Sequence, residues 1–191
     1  MSGPGSALFD TPIGRCGIAW NDLGVTAVQL PERDEGATRA RLLRRRPDAR
    51  EVTPPDHVTR AIDAITALLG GVRRDLSDVV LDMQDVPPFQ RQVYAVARTI
   101  PAGETLSYGE IAARLGNRNA ARDVGEAMGQ NPFPIIVPCH RVVAAGGKVG
   151  GFSAAGGVVT KLRLLEIEGA RLGETPTLFA SLPLAARPRR R

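Results

Sequence analysis

The sequence is poor in the residues that build disulfide scaffolds and metal sites. Among its 191 residues it has two cysteines, Cys16 and Cys139, and two histidines, His57 and His140. Two cysteines cannot form the disulfide framework of a small secreted protein, and these four side chains lack the spacing of a structural zinc site. We therefore expect a reducing compartment, no structural disulfide and no bound metal.

Long apolar runs are also missing. The chain has no run of about 18 apolar residues, and its N-terminus has neither the basic nor the apolar segment of an export signal. Hydrophobic residues make up 43% of the chain and charged residues 24%, which is the composition of a globular protein with a core. We expect a soluble, cytoplasmic protein that does not bind membranes.

The formal net charge of +5 is unevenly distributed along the chain. Residues 1–85 carry −2, residues 86–170 carry +3 and residues 171–191 carry +4. The basic end is expected to be a flexible, solvated tail; the alternative is an arm that binds phosphate without sequence preference. A high isoelectric point that arises largely from such a tail does not by itself indicate a nucleic-acid enzyme.

Residues 1–85 predict a small α/β module. Two apolar segments flank a turn at 21–24 and predict a β-hairpin in which Cys16 is a buried structural thiol. Its strands cover 16–20 and 25–30, helices follow at 37–46 and from about 54 to 69, and a third strand is predicted at 79–83.

A domain boundary is predicted at residues 85–88, where two prolines follow an acidic segment, and an amphipathic helix follows at 89–100. Ser107 and Glu110 have the spacing of a capping box, which predicts a helix that runs to residue 115. After Gly116 another helix is predicted over 120–128, with Asn119 as its cap. Two short helices joined in this way indicate a helix-turn-helix, although many such helix pairs bind no DNA.

The surface of the second of these helices favours one way of reading DNA. Ala120 and Ala121 are small enough for close approach, and Arg122 is the one long cation beside them. Proteins that read base edges in the major groove usually present several long polar side chains. The composition therefore favours recognition of DNA shape over recognition of sequence.

Residues 131–153 contain the candidate chemistry. The apolar run at 135–137 predicts a strand that ends at Pro138 and presents Cys139, with His140 next. A structural cysteine beside a core histidine is one interpretation. A reactive thiol is the other, because an adjacent imidazole favours the thiolate and no other pair in the chain offers nucleophile chemistry. The glycine pairs nearby fit neither a phosphate-binding loop nor a dinucleotide fingerprint.

The motif Pro138-Cys139-His140-Arg141-Val142, preceded by Asn131-Pro132-x-Pro134 and a predicted helix-turn-helix, resembles the signature of the O6-alkylguanine-DNA alkyltransferases. These proteins are also called methylated-DNA-protein-cysteine methyltransferases. The resemblance is strong from about residue 89 to 169, and weaker before that, where residues 9–14 resemble the family's first strand. It implies an α/β fold with a ribonuclease-H-like module at 1–85, a winged-helix-like, mostly helical domain at 86–170 and a tail at 171–191.

The resemblance also implies a reaction. A methyl or other alkyl group would pass irreversibly from O6-alkylguanine in double-stranded DNA to Cys139, once per protein molecule and without a cofactor. O4-methylthymine is a further candidate substrate. In the family a water links the cysteine to the histidine, so His140 would be the base and Glu168 would orient it. The implied protein is a monomer that needs no protein partner.

Further site residues are carried over from the family's motifs. The damaged base would be flipped from the minor groove, with Arg122 filling the gap. The residues implied to contact the substrate are Tyr108, Met128, Asn131, Pro134, Val142, Phe152 and Ser153. Those implied to contact DNA are Ala120, Ala121, Arg122 and Arg141.

The sequence departs from the family pattern at three places. Phe152 stands where many members have a tyrosine, Asp123 places a carboxylate beside Arg122, and the chain between Phe152 and Lys161 is about two residues longer than usual. Two alternatives also remain: a protein that recognises alkylated DNA without repairing it, and a helix-turn-helix regulator. Relatives of the first kind lack the cysteine, and the second would need an additional DNA-binding domain.

Overall fold

The computed structural model describes residues 3–170. Its N-terminal half contains a four-stranded sheet with the strand order β3-β2-β1-β4. The first three strands are antiparallel neighbours, and β4 pairs parallel to β1. The strands are β1 (Gly5–Thr11), β2 (Gly14–Asn21), β3 (Gly24–Gln29) and β4 (Arg50–Glu51). The predicted hairpin is therefore confirmed as β2 and β3, and Cys16 is fully buried within it.

Two helices pack with this sheet, close to their predicted bounds. Helix α1 spans Glu35–Arg45 and begins at Asp34, whose side chain accepts a hydrogen bond from the Ala37 amide. Helix α2 spans Asp56–Leu69 and ends at Gly70. Its apolar stripe is buried, as the helical spacing of the sequence predicts.

The prediction of a strand at 79–83 is wrong. Leu81 forms one isolated bridge to Val25, and the neighbouring Val80 is 63% exposed. The side chain of Asp82 accepts a hydrogen bond from the Gln84 amide and turns the chain away from the sheet. The apolar run is too short to continue past this local turn.

The other half of the described chain is mostly helical. Its elements are α3 (Pro88–Arg98), β5 (Leu106–Ser107), α4 (Tyr108–Arg114), α5 (Ala121–Gly129), β6 (Val142–Val143) and α6 (Val158–Ile167). The capping box is confirmed: the Ser107 hydroxyl accepts from the Glu110 amide, and the Glu110 carboxylate accepts from the Ser107 amide. The helix pair α4 and α5 is present, with Gly116 after α4 at φ +79°.

Two local predictions in this half are wrong. Asn119 does not cap α5, which begins instead from a 3₁₀ turn at Arg118–Ala120 that Asn117 caps. Residues 135–137 form no strand, because prolines at 132, 134 and 138 remove backbone donors and Ile135 takes φ +77°. The segment forms tight turns instead.

One hydrophobic core joins the two halves. A single buried cluster contains Trp20 and Ile65 from the N-terminal half together with Tyr94, Phe133 and Cys139. The fold is mixed α/β, as expected. The division at residue 85 remains a prediction, and the flexible tail predicted for 171–191 lies outside the described residues. In the described part of the chain, no helix is long and apolar enough to cross a membrane.

Candidate active site

Two very short strands bring distant parts of the chain to the site. Strands β5 and β6 pair in parallel, with Leu106 opposite Val142 and Ser107 opposite Val143. Tyr108 follows β5 as the first residue of α4, and the segment with Cys139 immediately precedes β6. This strand pair therefore fixes the start of α4 beside the segment that contains the cysteine.

Cys139 lies in the interior. It opens a 3₁₀ turn, Cys139–Arg141, and is 7% exposed. Burial raises the pKa of its thiol, and Asn131, Lys161 and the backbone amides of Cys139 and His140 partly offset that rise. At neutral pH the resting group is a thiol, so any nucleophilic reaction of this sulfur requires a base that removes its proton.

His140 is the candidate base, and Glu168 orients it. The His140 Nε2 lies 2.9 Å from Glu168 Oε1, and both side chains are buried. Burial works to raise the pKa of Glu168, but its bonds to His140 and Arg141 outweigh that effect and lower it to about 2.

The charge of Glu168 determines which imidazole nitrogen is free. An ionised carboxylate only accepts hydrogen bonds, so the proton of His140 is on Nε2. Burial also lowers the pKa of His140, which keeps the imidazole neutral. Nδ1 therefore has a lone pair, and this buried atom has no hydrogen-bond partner among residues 3–170. The arrangement orients a neutral imidazole as a proton acceptor next to the cysteine.

Arg141, predicted to contact DNA, lies inside the protein. Its Nε and Nη2 donate to the two oxygens of Glu168 at 2.9 and 2.7 Å, and its Nη1 donates to the Ile100 carbonyl at 2.5 Å. The side chain is 8% exposed. The DNA-contact prediction is therefore corrected: Arg141 neutralises Glu168 and ties the end of α3 to the cysteine turn.

Asn131 stabilises the turns that precede the cysteine. Its Nδ2 donates to the Val137 carbonyl at 2.9 Å, and its Oδ1 accepts from the Phe133 amide at 2.9 Å. Met128, at the end of α5, is also buried, and Pro134 is half-buried. These positions agree with the predicted bracing role of Asn131, while contact of Met128 and Pro134 with a substrate remains a prediction.

Tyr108 is half-buried and lies against a glycine. A Cβ atom built at Gly150 would lie 3.1 Å from the Tyr108 hydroxyl, and Gly150 has φ +69°. Glycine therefore serves twice here, because it allows the backbone turn and leaves room for the phenol. Burial raises the pKa of Tyr108, so its hydroxyl keeps its proton and can donate.

Lys161 is a candidate site residue that was not predicted from the sequence. It is fully buried, and its Nζ donates to the Val142 carbonyl at 2.6 Å and lies 5.8 Å from the centroid of the Tyr108 ring. Burial lowers its pKa to about 8, and Cys139 partly opposes that change. The signal was available: Lys161 and Glu168 lie seven residues apart on the stripe of α6 that Leu164 and Leu165 occupy.

Phe152 and Ser153 lie on the loop before α6. Phe152 is half-buried and packs against the core, and Ser153 is exposed. The Ser153 carbonyl accepts a hydrogen bond at 3.0 Å from Arg41 of α1. Val142 is buried, and its carbonyl already accepts from Lys161, so a substrate amine would have to share that oxygen.

The helix pair α4 and α5 presents only part of the surface that was predicted to contact DNA. Arg122 is exposed on α5, and it forms no ion pair with any residue in the described range. Ala121 is half-buried beside it. Ala120 is 2% exposed and belongs to the core, so its predicted contact with DNA is corrected. Among residues 3–170 there is also no group of three or more side chains suited to hold a metal ion.

Comparison with known proteins defines the class first. The family model for the DNA-binding domain of 6-O-methylguanine DNA methyltransferase matches residues 88–170, which include the helix pair, the cysteine turn and Glu168. Residues 88–170 thus match a DNA-binding domain, and in this part of the chain a buried cysteine follows the helix pair α4 and α5.

The relatives then give the family. Methylated-DNA--protein-cysteine methyltransferase from Mycobacterium tuberculosis is 39% identical over 171 residues, covering 90% of this chain and 96% of that protein. The protein of the same name from Methanothermobacter thermautotrophicus is 38% identical over 161 residues, covering 84% and 83%. A crystal structure of Mycobacterium tuberculosis OGT in complex with DNA matches with a TM-score of 0.70 at 37% identity, covering 86% of this chain and 92% of that one. The chain belongs to the methylated-DNA-protein-cysteine methyltransferase family.

Proposed function

We propose that this protein repairs DNA by a single, irreversible transfer of an alkyl group from O6 of guanine to Sγ of Cys139. The observation that supports this most directly is the neutral, carboxylate-oriented imidazole of His140 beside a buried cysteine. A base of this kind is what a thiol with a raised pKa needs. Each molecule acts once, because the thioether that forms is stable.

The proposed reaction is an in-line displacement at the alkyl carbon. The bond from Sγ to the alkyl carbon forms while the bond from that carbon to O6 of guanine breaks. The thiol proton passes to Nδ1 of His140, through a water as in the family, and Glu168 stabilises the imidazolium that results. The guanine leaves as an anion and takes up one proton, which restores the normal base.

Lys161 and Tyr108 stabilise the negative charges that develop on the sulfur and on the leaving base. The ammonium of Lys161 is the cation whose charge lowers the pKa of Cys139, so it favours the thiolate. The protonated hydroxyl of Tyr108 can donate to the leaving base. Asn131 braces the cysteine turn, and Met128, Pro134, Val142, Phe152 and Ser153 form the wall of the substrate pocket.

Access to O6 in a duplex requires the nucleotide to leave the stack, at a cost of a few kcal/mol. The helix-turn-helix binds the minor groove, and the exposed Arg122 fills the gap that the flipped base leaves. Ala121 allows the helix to approach closely. Asp123 is exposed next to Arg122 and weakens the attraction to phosphate.

The proposal also includes the architecture of the two halves of the chain. The strand order β3-β2-β1-β4 with a parallel outer strand supports a ribonuclease-H-like module, and α4 and α5 support a winged-helix-like domain over 86–170. The protein acts as a cytoplasmic monomer on double-stranded DNA that contains O6-alkylguanine.

Intact mass spectrometry tests the proposal. After incubation with duplex DNA that contains O6-methylguanine, we expect a mass gain of one methyl group per molecule, mapped by peptide analysis to Cys139. Cys139→Ser should gain none. Cys16→Ser is the matched control and should react as the wild type does, because burial raises the pKa of Cys16 to about 11. Methylation that persists in Cys139→Ser would refute the assignment.

A further inference from the structure

The N-terminal half is hydrogen-bonded to two segments that carry candidate site residues, through α1 and β3. The Arg45 Nη1 donates to the Asn131 carbonyl at 3.2 Å, and the Val28 amide donates to the Pro132 carbonyl at 2.8 Å. These two bonds fix the turn that precedes Cys139. Arg41 reaches the second segment, the loop before α6.

Arg41 is the contact from α1 to the loop before α6. Its Nη2 donates to the Ser153 carbonyl at 3.0 Å across 112 positions of sequence. Its Nη1 pairs with Glu32 at 2.9 Å, and the Arg41 side chain is 30% exposed. The guanidinium thus binds two acceptors at once, one in its own half and one on the substrate loop.

The guanidinium of Arg41 is itself held in place. Glu32 also accepts a hydrogen bond from the Nε2 of Gln29 at 3.1 Å, and Gln29 is buried in β3. The Glu32 amide donates to the Thr38 hydroxyl at 3.0 Å. A guanidinium that is held by a fixed carboxylate loses less conformational entropy when it binds the loop than that of an unpaired arginine would.

The loop that Arg41 holds is also bonded on either side of Ser153: the Gly151 carbonyl accepts from the Lys161 Nζ at 3.4 Å, and the Ala154 carbonyl accepts from the Gly157 amide at 2.9 Å. It contains glycines with positive φ at 150, 156 and 157, which a chain uses where it must turn freely. Among the described residues, the bond from Arg41 is the only hydrogen bond to the backbone of Ser153. Fixing that carbonyl orients the peptide plane that Ser153 shares with Ala154 and, across the two rotatable backbone bonds of Ser153, restricts the Ser153 amide.

We propose that Arg41 is a positioning residue for alkyl transfer: it holds the Ser153 loop against the pocket so that the loop backbone faces O6 of the substrate. This inference rests on the proposed function, because it assigns the Ser153 loop to the substrate. It also gives the N-terminal module a role, since that half contributes no candidate catalytic group. The effect is mechanical and does not require Arg41 to contact DNA.

The test compares Arg41→Ala and Arg41→Lys with Arg39→Ala. Arg39 is on the same helix and pairs with Glu35 and Glu51, so its loss removes the same charge without touching the loop. The first measurement is the single-turnover methylation rate on duplex and on single-stranded oligonucleotides that contain O6-methylguanine. The second is hydrogen–deuterium exchange of residues 150–156, and the third is affinity for undamaged duplex.

We expect Arg41→Ala to slow methylation of both substrates by about tenfold, because loss of a charged hydrogen bond frees a loop that must be held in register. Exchange in residues 150–156 should become faster, and affinity for undamaged DNA should equal that of Arg39→Ala. Arg41→Lys keeps the charge but loses the fork, so it should resemble Arg41→Ala in loop exchange.

Three outcomes would overturn the proposal. Equal methylation rates in Arg41→Ala and Arg39→Ala would exclude a positioning role for Arg41. A slower rate in Arg41→Ala without faster hydrogen–deuterium exchange of the loop would exclude it as well. A loss confined to the duplex, together with weaker binding of undamaged DNA, would make Arg41 a phosphate contact. Failure of the wild-type protein to methylate Cys139 would instead refute the proposed function, and loop exchange would still report whether Arg41 holds the loop.

Discussion

Replacing Glu168 by glutamine removes a charge that supports both the fold and the proposed reaction. The carboxylate accepts from the Arg141 Nε and Nη2 and from the His140 Nε2, and its side chain is 3% exposed. Glutamine has nearly the same shape, so the substitution creates no cavity. It leaves the guanidinium of Arg141 buried without an opposite charge, and its amide can donate where only an acceptor fits.

The stability that Glu168→Gln loses can be worked out in two independent ways. The pKa of Glu168 falls from 4.5 to about 2 in the folded protein, and at about 1.4 kcal/mol per unit this corresponds to roughly 3 kcal/mol of stability at neutral pH. Removing one partner of a buried ion pair costs about 3 to 5 kcal/mol. For a protein of this size the melting temperature of Glu168→Gln should fall by roughly 10 °C.

The matched control is Glu166→Gln on the same helix. Glu166 is exposed and forms no ion pair with the described residues, so this variant should melt like the wild type. Calorimetry or thermal circular dichroism measures both variants. At a temperature where both are folded, Glu168→Gln should also methylate about 100 to 10,000 times more slowly, because His140 loses its tautomer and the partner of its cation.

Acid titration gives the same prediction a second readout. A carboxyl group with a depressed folded pKa adds stability that is present above pH 4.5 and is lost as the pH falls toward about 2. The wild type and Glu166→Gln should therefore lose more stability than Glu168→Gln across this window. The reasoning is refuted if Glu168→Gln melts within 2 °C, on the order of 1 kcal/mol, of Glu166→Gln, or if all three proteins lose stability in parallel.

Two other variants test the remaining groups of the site. Arg122→Ala should slow repair of O6-methylguanine in duplex DNA by at least about tenfold and leave repair in single strands nearly unchanged, because only the duplex needs a base extruded; equal losses on both would exclude the gap-filling role. Lys161→Met should methylate about tenfold more slowly at pH 7, since the thiolate loses its nearby cation. The wild-type rate, relative to this variant, should decline above pH 8, where Lys161 with its pKa of about 8 loses its charge. A constant ratio from pH 7 to 9.5 would contradict the role of Lys161.

Local chemistry made several elements of the fold predictable. Ser107 and Glu110 form their capping box from groups three residues apart, so no tertiary information is needed to find it. The hairpin and the helices of the N-terminal half follow from turn residues and from helical periodicity in the same way. The motif from Pro138 to Val142 identified Cys139 and His140, and a resemblance supplied Glu168 from 28 positions away.

What escaped prediction depends on partners distant in sequence. Strands β5 and β6 are two residues each, which is too short for any periodic pattern to be visible. Arg141 was implied by the resemblance to contact DNA, and nothing near it in sequence shows the buried acid that neutralises it. The place of Lys161 on the apolar stripe of α6 is visible in the sequence, but only the fold shows the Val142 carbonyl that its Nζ reaches.

The place of Cys139 in the common core has a consequence for how such a reaction can be organised. An enzyme that turns over must let its product leave, so a nucleophile packed among core side chains would hold the product in place. In the proposed reaction only the restored DNA departs, and the alkyl group stays where it was received. No release path for a small product is needed, and the packing that surrounds the thiol can be as dense as the rest of the interior.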